Sequence, residues 1–321
     1  MAYGSLALDE ISTSGNLAIA GNVATSGNLA ITGDTTVVGN LSAANMSGRN
    51  RIINGAMVVD QRNVGASQTI TAGAALAYTV DRWYAYSTGA NVTGQRVAGS
   101  GFNLFAYRFT GAAGVTAIGF GQRIESLNSG DMAGTTATLS VELANTLLTT
   151  VTWTAFRANT TDTFGTLASP TRTQIATGTF TVNSTLTRYS TQIAIPSAAT
   201  TGIEIVFTVG AQTSGTWTID NVQLEPGTVV TPFERRMITT EVTLCQRYFT
   251  RSTEIWTVCG STPFMTVPLN VTMRTVCTPT VTKVAGSGAL SVSGGAYNGP
   301  NAFRVDTATT NDFTWTATAE L

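Results

Sequence analysis

Two patterns of apolar and polar positions divide the chain. Near the N-terminus apolar residues return in a six-residue cycle, with Gly15, Gly21, Gly27, Gly33 and Gly39 each followed by Asn or Asp. Two and four residues after each glycine stand Leu17 and Ile19, Val23 and Thr25, Leu29 and Ile31, Thr35 and Val37, Leu41 and Ala43. The string SGNLAI at Ser14 recurs intact at Ser26, so a longer period overlies the hexads. In an extended chain alternate side chains share a face, so this segment presents one apolar face with no second layer to cover it. Three copies around an axis would bury Leu17, Ile19, Val23, Leu29, Ile31, Val37 and Leu41 against one another, which predicts an intertwined trimeric β-shaft over residues 14–48. A flexible Gly/Ser linker and a single-chain β-helix are the alternatives.

From Ile52 onward the period shortens to two. Thr135–Leu143, Leu148–Phe156, Arg188–Ile195, Ile203–Val209 and Thr216–Leu224 read as strands separated by turns, and their spacing suggests a two-sheet sandwich. Ile203–Val209 and Thr216–Leu224, joined by a polar Gly-containing turn, read as a hairpin. Beyond residue 236 the spacing of Ile238, Glu241, Leu244, Cys245 and Tyr248 predicts one short helix, and Glu254–Val258, Val276–Val284 and Phe313–Ala317 predict a small β-domain. The expected fold is all-β: attachment segment 1–13, shaft 14–48, sandwich 49–236 and C-terminal domain 237–321 as the distal tip.

Composition sharpens this picture. Charged residues are 11% of the 321, so the polar surface must be built from Thr, Ser, Asn and Gln, which favour strands and turns. A net charge of −1 with no basic run speaks against nucleic acid as a partner. All basic residues but Lys283 are arginine, which offers planar forks for acidic sugars or simply reflects base composition. The N-terminus has no basic stretch followed by an apolar one, and no apolar run is long enough to span a bilayer; neither a signal peptide nor membrane insertion is expected. Cys245, Cys259 and Cys277 are an odd number and are expected to be free, buried thiols.

The strings INGAMVVDQRN at Ile53, YTVDRWYAY at Tyr78, GFGQRIES at Gly119, DMAGTTATLSVELA at Asp131 and WTIDNVQLEPG at Trp217 resemble, as a set, the jelly-roll domain of phage tail fibres, itself similar to carbohydrate-binding modules. TPFERR at Thr231, LCQRYF at Leu244 and WTATAEL at Trp315 resemble the C-terminal part of the same fibres. The resemblance implies a virion protein, joined to tail or baseplate proteins through its N-terminus, that attaches the particle to a host cell-surface glycan. No motif names the sugar.

Candidate contacts follow. Alternation puts Tyr84 and Tyr86 on one side of a strand and Trp83 on the other; flat rings suit sugars, and core packing is the alternative for each. Trp153, Phe156 and Trp217 are expected between the sheets. Asp220 and Asn221 resemble the segment that helps hold a structural calcium in carbohydrate-binding modules; a turn or a buried hydrogen bond explains them equally well. No other cofactor is expected. With no histidine, and with Asp81, Glu125, Glu142, Glu204, Asp220 and Glu225 showing no pairing in their spacing, no catalytic residues stand out, and an enzyme is not expected. A polysaccharide-cutting tail spike and a purely structural spacer remain the alternatives.

Overall fold

A computed structural model of the chain describes residues 48–101, 103–259, 264–292 and 298–321. The chain falls into two units, Met1–Ala44 and Asn45–Leu321; the hexads and their proposed trimer positions lie in the first, outside the described residues.

The sandwich is built from β1 (Gln68–Ile70), β2 (Ala77–Tyr78), β3 (Tyr84–Thr88), β4 (Val92–Ala98), β5 (Phe105–Thr110), β6 (Ala117–Ile124), β7 (Thr136–Asn145), β8 (Thr150–Ala158), β9 (Arg172–Thr181), β10 (Thr187–Ala194), β11 (Ile203–Val209) and β12 (Thr216–Pro226). Sheet 1 has the order β1-β4-β5-β12-β7-β10 and sheet 2 the order β2-β3-β6-β11-β8-β9. Every pairing in them is antiparallel.

Strict alternation produces this packing. Ala137, Leu139, Val141 and Leu143 of β7, and Ile203, Ile205, Phe207 and Val209 of β11, point between the sheets and are all buried. Trp83 stacks on Phe120 at 4.7 Å and Phe109 on Trp217 at 5.3 Å, giving the core an aromatic spine. Trp153 faces the same core, as expected.

The expected β11–β12 hairpin does not form. β11 lies between β6 and β8 in sheet 2, whereas β12 lies between β5 and β7 in sheet 1. The turn after Val209 therefore carries the chain across the sandwich. Both strands bury an apolar face, and placing them in opposite sheets lets those faces meet.

The helix Ile238–Gln246 follows, then β13 (Phe249–Arg251), β14 (Trp256–Val258), β15 (Phe264–Pro268), β16 (Thr278–Gly286), β17 (Leu290–Val292), β18 (Ala302–Thr307) and β19 (Asn311–Thr318). β13, β14 and β16 all pair with β19, and β15-β18-β17 forms a second small sheet; Phe303, Val305, Phe313 and Trp315 pack between the two. Cys245 and Cys277 are buried and free, but Cys259 is exposed, contrary to expectation. Among the described residues, no helix is long and apolar enough to cross a membrane.

Candidate functional site

The face of sheet 2 turned away from the core can be read strand by strand. Its register sets Tyr86, Gly119, Thr208, Thr152 and Thr179 in one row across five strands, and Tyr84, Gly121, Val206, Thr154 and Thr177 in the next. A third row holds Arg123, Glu204, Phe156 and Gln174.

Glycine on β6 shapes this surface. A Cβ placed on Gly119 would lie 2.1 Å from two ring atoms of Tyr86, so the phenol ring lies across the bare backbone. Tyr86 is half-buried, with one ring face against the sheet. Tyr84 folds over Gly121 in the same way, where a Cβ would come within 2.5 Å of its hydroxyl.

The two tyrosines then part company. Tyr84 is only 1% exposed; its hydroxyl donates to Glu204 at 2.6 Å. Arg123 Nε also donates to Glu204, at 2.8 Å, and Arg172 pairs with its second oxygen. Burial, and then the neighbouring Glu204 charge, push the Tyr84 phenol well up, so it stays a donor. The covering groups come from distant sequence: Arg123 donates to the Leu321 carbonyl at 2.6 Å and to the Gly165 carbonyl at 2.9 Å. Tyr84 is thus a structural residue, not a surface contact. Trp83 is fully buried in the core and donates its indole N–H to the Asn54 carbonyl at 3.0 Å, so it too leaves the candidate site.

What stays open is Tyr86 and the threonines. Thr208, Thr152 and Thr154 are half-buried, and Thr177 and Thr179 exposed. Phe156, expected in the core, lies on this face with the Arg172 guanidinium 4.0 Å above its ring, because alternation along β8 sends Val151, Trp153 and Ala155 inward and Thr152, Thr154 and Phe156 outward. The surface combines one flat ring with a band of uncharged hydroxyls. Sequence reasoning missed the threonines, although their alternation with Val151, Trp153 and Ala155 carried the signal.

On sheet 1 the register sets Asp220 of β12, Glu142 of β7 and Arg188 of β10 side by side on the outer face. The bulge between Asp220 and Gln223 holds Asn221 at φ 47°, a left-handed conformation that asparagine tolerates. Glu142 accepts from Asn103 Nδ2 at 2.8 Å and from Asn221 Nδ2 at 3.0 Å. Burial, with the Glu142 charge adding to it, pushes the Asp220 carboxyl up to about 8.

This cluster is the expected calcium position, and Asp220 Oδ2 and Asn221 Oδ1 are buried without a hydrogen-bond partner. The donor set does not suit a dication, however. Arg188 and Arg235 line the same cavity, and Arg235 donates to Asn103 Oδ1, occupying a potential ligand oxygen. The other carboxylates are absorbed: Glu125 by Arg247, Glu225 by Arg49 and Thr231, and Asp81 by Gln61.

No family model and no curated protein matches the chain. Solved structures similar to it include carbohydrate-binding modules and a phage tailspike. A family 61 module in complex with β-1,4-galactotriose is 11% identical, with TM-score 0.36, over 56% of this chain and 99% of that one. A family 22 module of Clostridium thermocellum is 17% identical, with TM-score 0.33, over 54% and 99%. The enzymatically active domain of tailspike protein 4 of bacteriophage CBA120 is 19% identical, with TM-score 0.33, over 56% of this chain but 22% of that one.

Proposed function

We propose that this chain is a phage tail-fibre protein, homotrimeric through its hexads and joined to the tail at its N-terminus, that binds a host-surface glycan on the outer face of sheet 2 without cutting it. The observation that carries the binding site is the Tyr86 ring laid over Gly119 beside a band of threonines. A flat ring backed by the sheet offers the C–H face of a sugar an apolar platform at little entropic cost. Neighbouring strands are ~4.8 Å apart, so the hydroxyls of Thr208, Thr152 and Thr179 recur at about the length of one sugar unit. A linear, uncharged chain lying across the strands matches that spacing.

The rival reading, a polysaccharide-cutting spike, draws on Asp220 and Glu142 standing side by side, with the Asp220 carboxyl pushed up by burial to about 8. Against it, Asp220 is fully buried and both Glu142 oxygens are held by carboxamides, which leaves neither group facing a bond to be cleaved.

A glycan array probed with the intact protein and with Tyr86→Ala tests the proposal. Loss of the bound neutral glycans, roughly tenfold or more, is expected with an unchanged melting temperature. Gly119→Ala, which pries the ring off the sheet, should act in the same direction. Undiminished binding by both variants refutes the site, and oligosaccharide release from a bound polysaccharide refutes the non-cutting role.

A further inference from the structure

The outer face of sheet 1 carries a cavity of about 450 Å³ that shares no residue with the Tyr86 face. Asn103, Glu142, Arg188, Asn221, Phe233 and Arg235 line it. Their arrangement is built rather than incidental. The bulge in β12 turns Asn221 toward Glu142, and the carboxamides of Asn103 and Asn221 fix the Glu142 carboxylate from two sides.

Three features point to a ligand. First, Asn221 is 3% exposed, yet its Oδ1 has no hydrogen-bond donor, a costly state unless something supplies one. Second, Arg188 and Arg235 are exposed and have no carboxylate within ion-pair distance among the described residues, although most arginines of this chain, such as Arg62, Arg82, Arg123 and Arg172, are ion-paired. Third, Phe233 and Pro232 add apolar lining to a hollow whose other residues are polar or charged.

The charge balance selects among ligands. Two guanidinium groups, Arg188 and Arg235, line the cavity beside the Glu142 side chain, and burial raises the neighbouring Asp220 carboxyl to about 8, which disfavours its charged form. A dication meets two like charges, and a multiply charged inorganic anion meets Glu142 while bringing no apolar face to Phe233.

We propose that this cavity binds a sugar bearing a carboxylate. Arg188 and Arg235 take the carboxylate in planar forks, Asn221 Oδ1 accepts from a ring hydroxyl, and Phe233 packs against the sugar's C–H face. The site goes beyond the Tyr86 reading and stands on other residues and the opposite sheet, so either can fail alone.

Titration calorimetry of the full chain with sialyllactose against lactose, and with trigalacturonic acid against galactotriose, tests it at low and high salt. In at least one pair the acidic member should bind about tenfold tighter than its neutral counterpart, and salt should weaken it. Arg235→Ala and Arg188→Ala, both at exposed positions, should each lower that affinity severalfold, while Tyr86→Ala leaves it unchanged. Equal affinity within both pairs, no binding of either acid, or loss confined to Tyr86→Ala overturns the proposal. Calcium chloride alone binding in competition with the acid overturns it too, by assigning the cavity to a cation.

Discussion

Asp220 is a carboxyl group that the fold keeps protonated at neutral pH. Its partner across the strands is Glu142, and it is fully buried, so ionising it sets two like charges side by side in a dry environment. Unfolded, it titrates near its ordinary 3.8; folded, near about 8. Between those values the folded state binds the extra proton, so stability falls as pH rises through this window and levels off above it. Asp81, pushed by burial up to about 6, adds a slope of the same sign over a narrower range. Asp220→Asn keeps an oxygen for the Asn221 N–H, which Asp220 Oδ1 accepts at 2.6 Å, but removes the titration. We expect the variant to be more stable, with a gain near zero at the acid end that grows to a few kcal/mol by the alkaline end. Urea melts of both proteins at pH 5 and pH 8 check this; a gain independent of pH sinks it.

Among the elements, the end of β19 does more than close its own sheet. Ala319 N donates to the Tyr248 carbonyl at 2.7 Å. Glu320 then pairs with Arg62 at 2.9 Å and with the buried Arg82, whose guanidinium also lies 3.4 Å over the Tyr248 ring. Tyr78 and Arg123 both donate to the Leu321 carbonyl. These few residues pin the C-terminal sheets onto the sandwich and cover the Tyr84 end of the outer face of sheet 2. Glu320→Gln leaves Arg82 buried without its counter-charge, and truncating one partner of such a pair costs about 3–5 kcal/mol. A thermal melt should show a large drop for this variant and almost none for Glu254→Gln, whose carboxylate is exposed. Similar melts for the two would mean that the Glu320 pairings contribute little.

For the whole molecule, the decisive quantity is the number of chains. A hexad face carrying Leu17, Ile19, Leu29 and Ile31 needs partners to bury it, and we expect a mass in solution of three chains. Replacing those four residues with Asp should dissociate the assembly, because unpaired buried charge is strongly unfavourable. The sandwich draws its core from other residues and should stay folded in that variant. If the proposed glycan site is present on each of three chains, later contacts become intramolecular and avidity should rise by about 10² to 10⁴. Light scattering and cell-binding curves for both proteins check the chain: a monomeric parent, or equal cell binding by parent and variant, contradicts it.

Alternation along the chain was enough for the all-β class, for the limits of five of the sandwich's strands to within two residues, and for the side of β3 on which each ring falls. Alternation is a local property of an extended backbone. Helical spacing also placed the helix at Ile238, although Ile238 itself turns outward while Glu241 and Cys245 are buried. What lies over each face came from long-range contacts. Tyr84 and Tyr86 are equivalent in the alternation, but Arg123 and Leu321 close over one end of the sheet, leaving Tyr86 as the open ring. The apolar faces of β11 and β12 suit a hairpin and a crossover equally, and the choice was made by β6, β8, β5 and β7, which pair with them. Asp220 and Glu142 are 78 residues apart in the numbering and become neighbours only through strand register. Pairing partners and coverings are long-range contacts, and a pattern of period two carries no information about them.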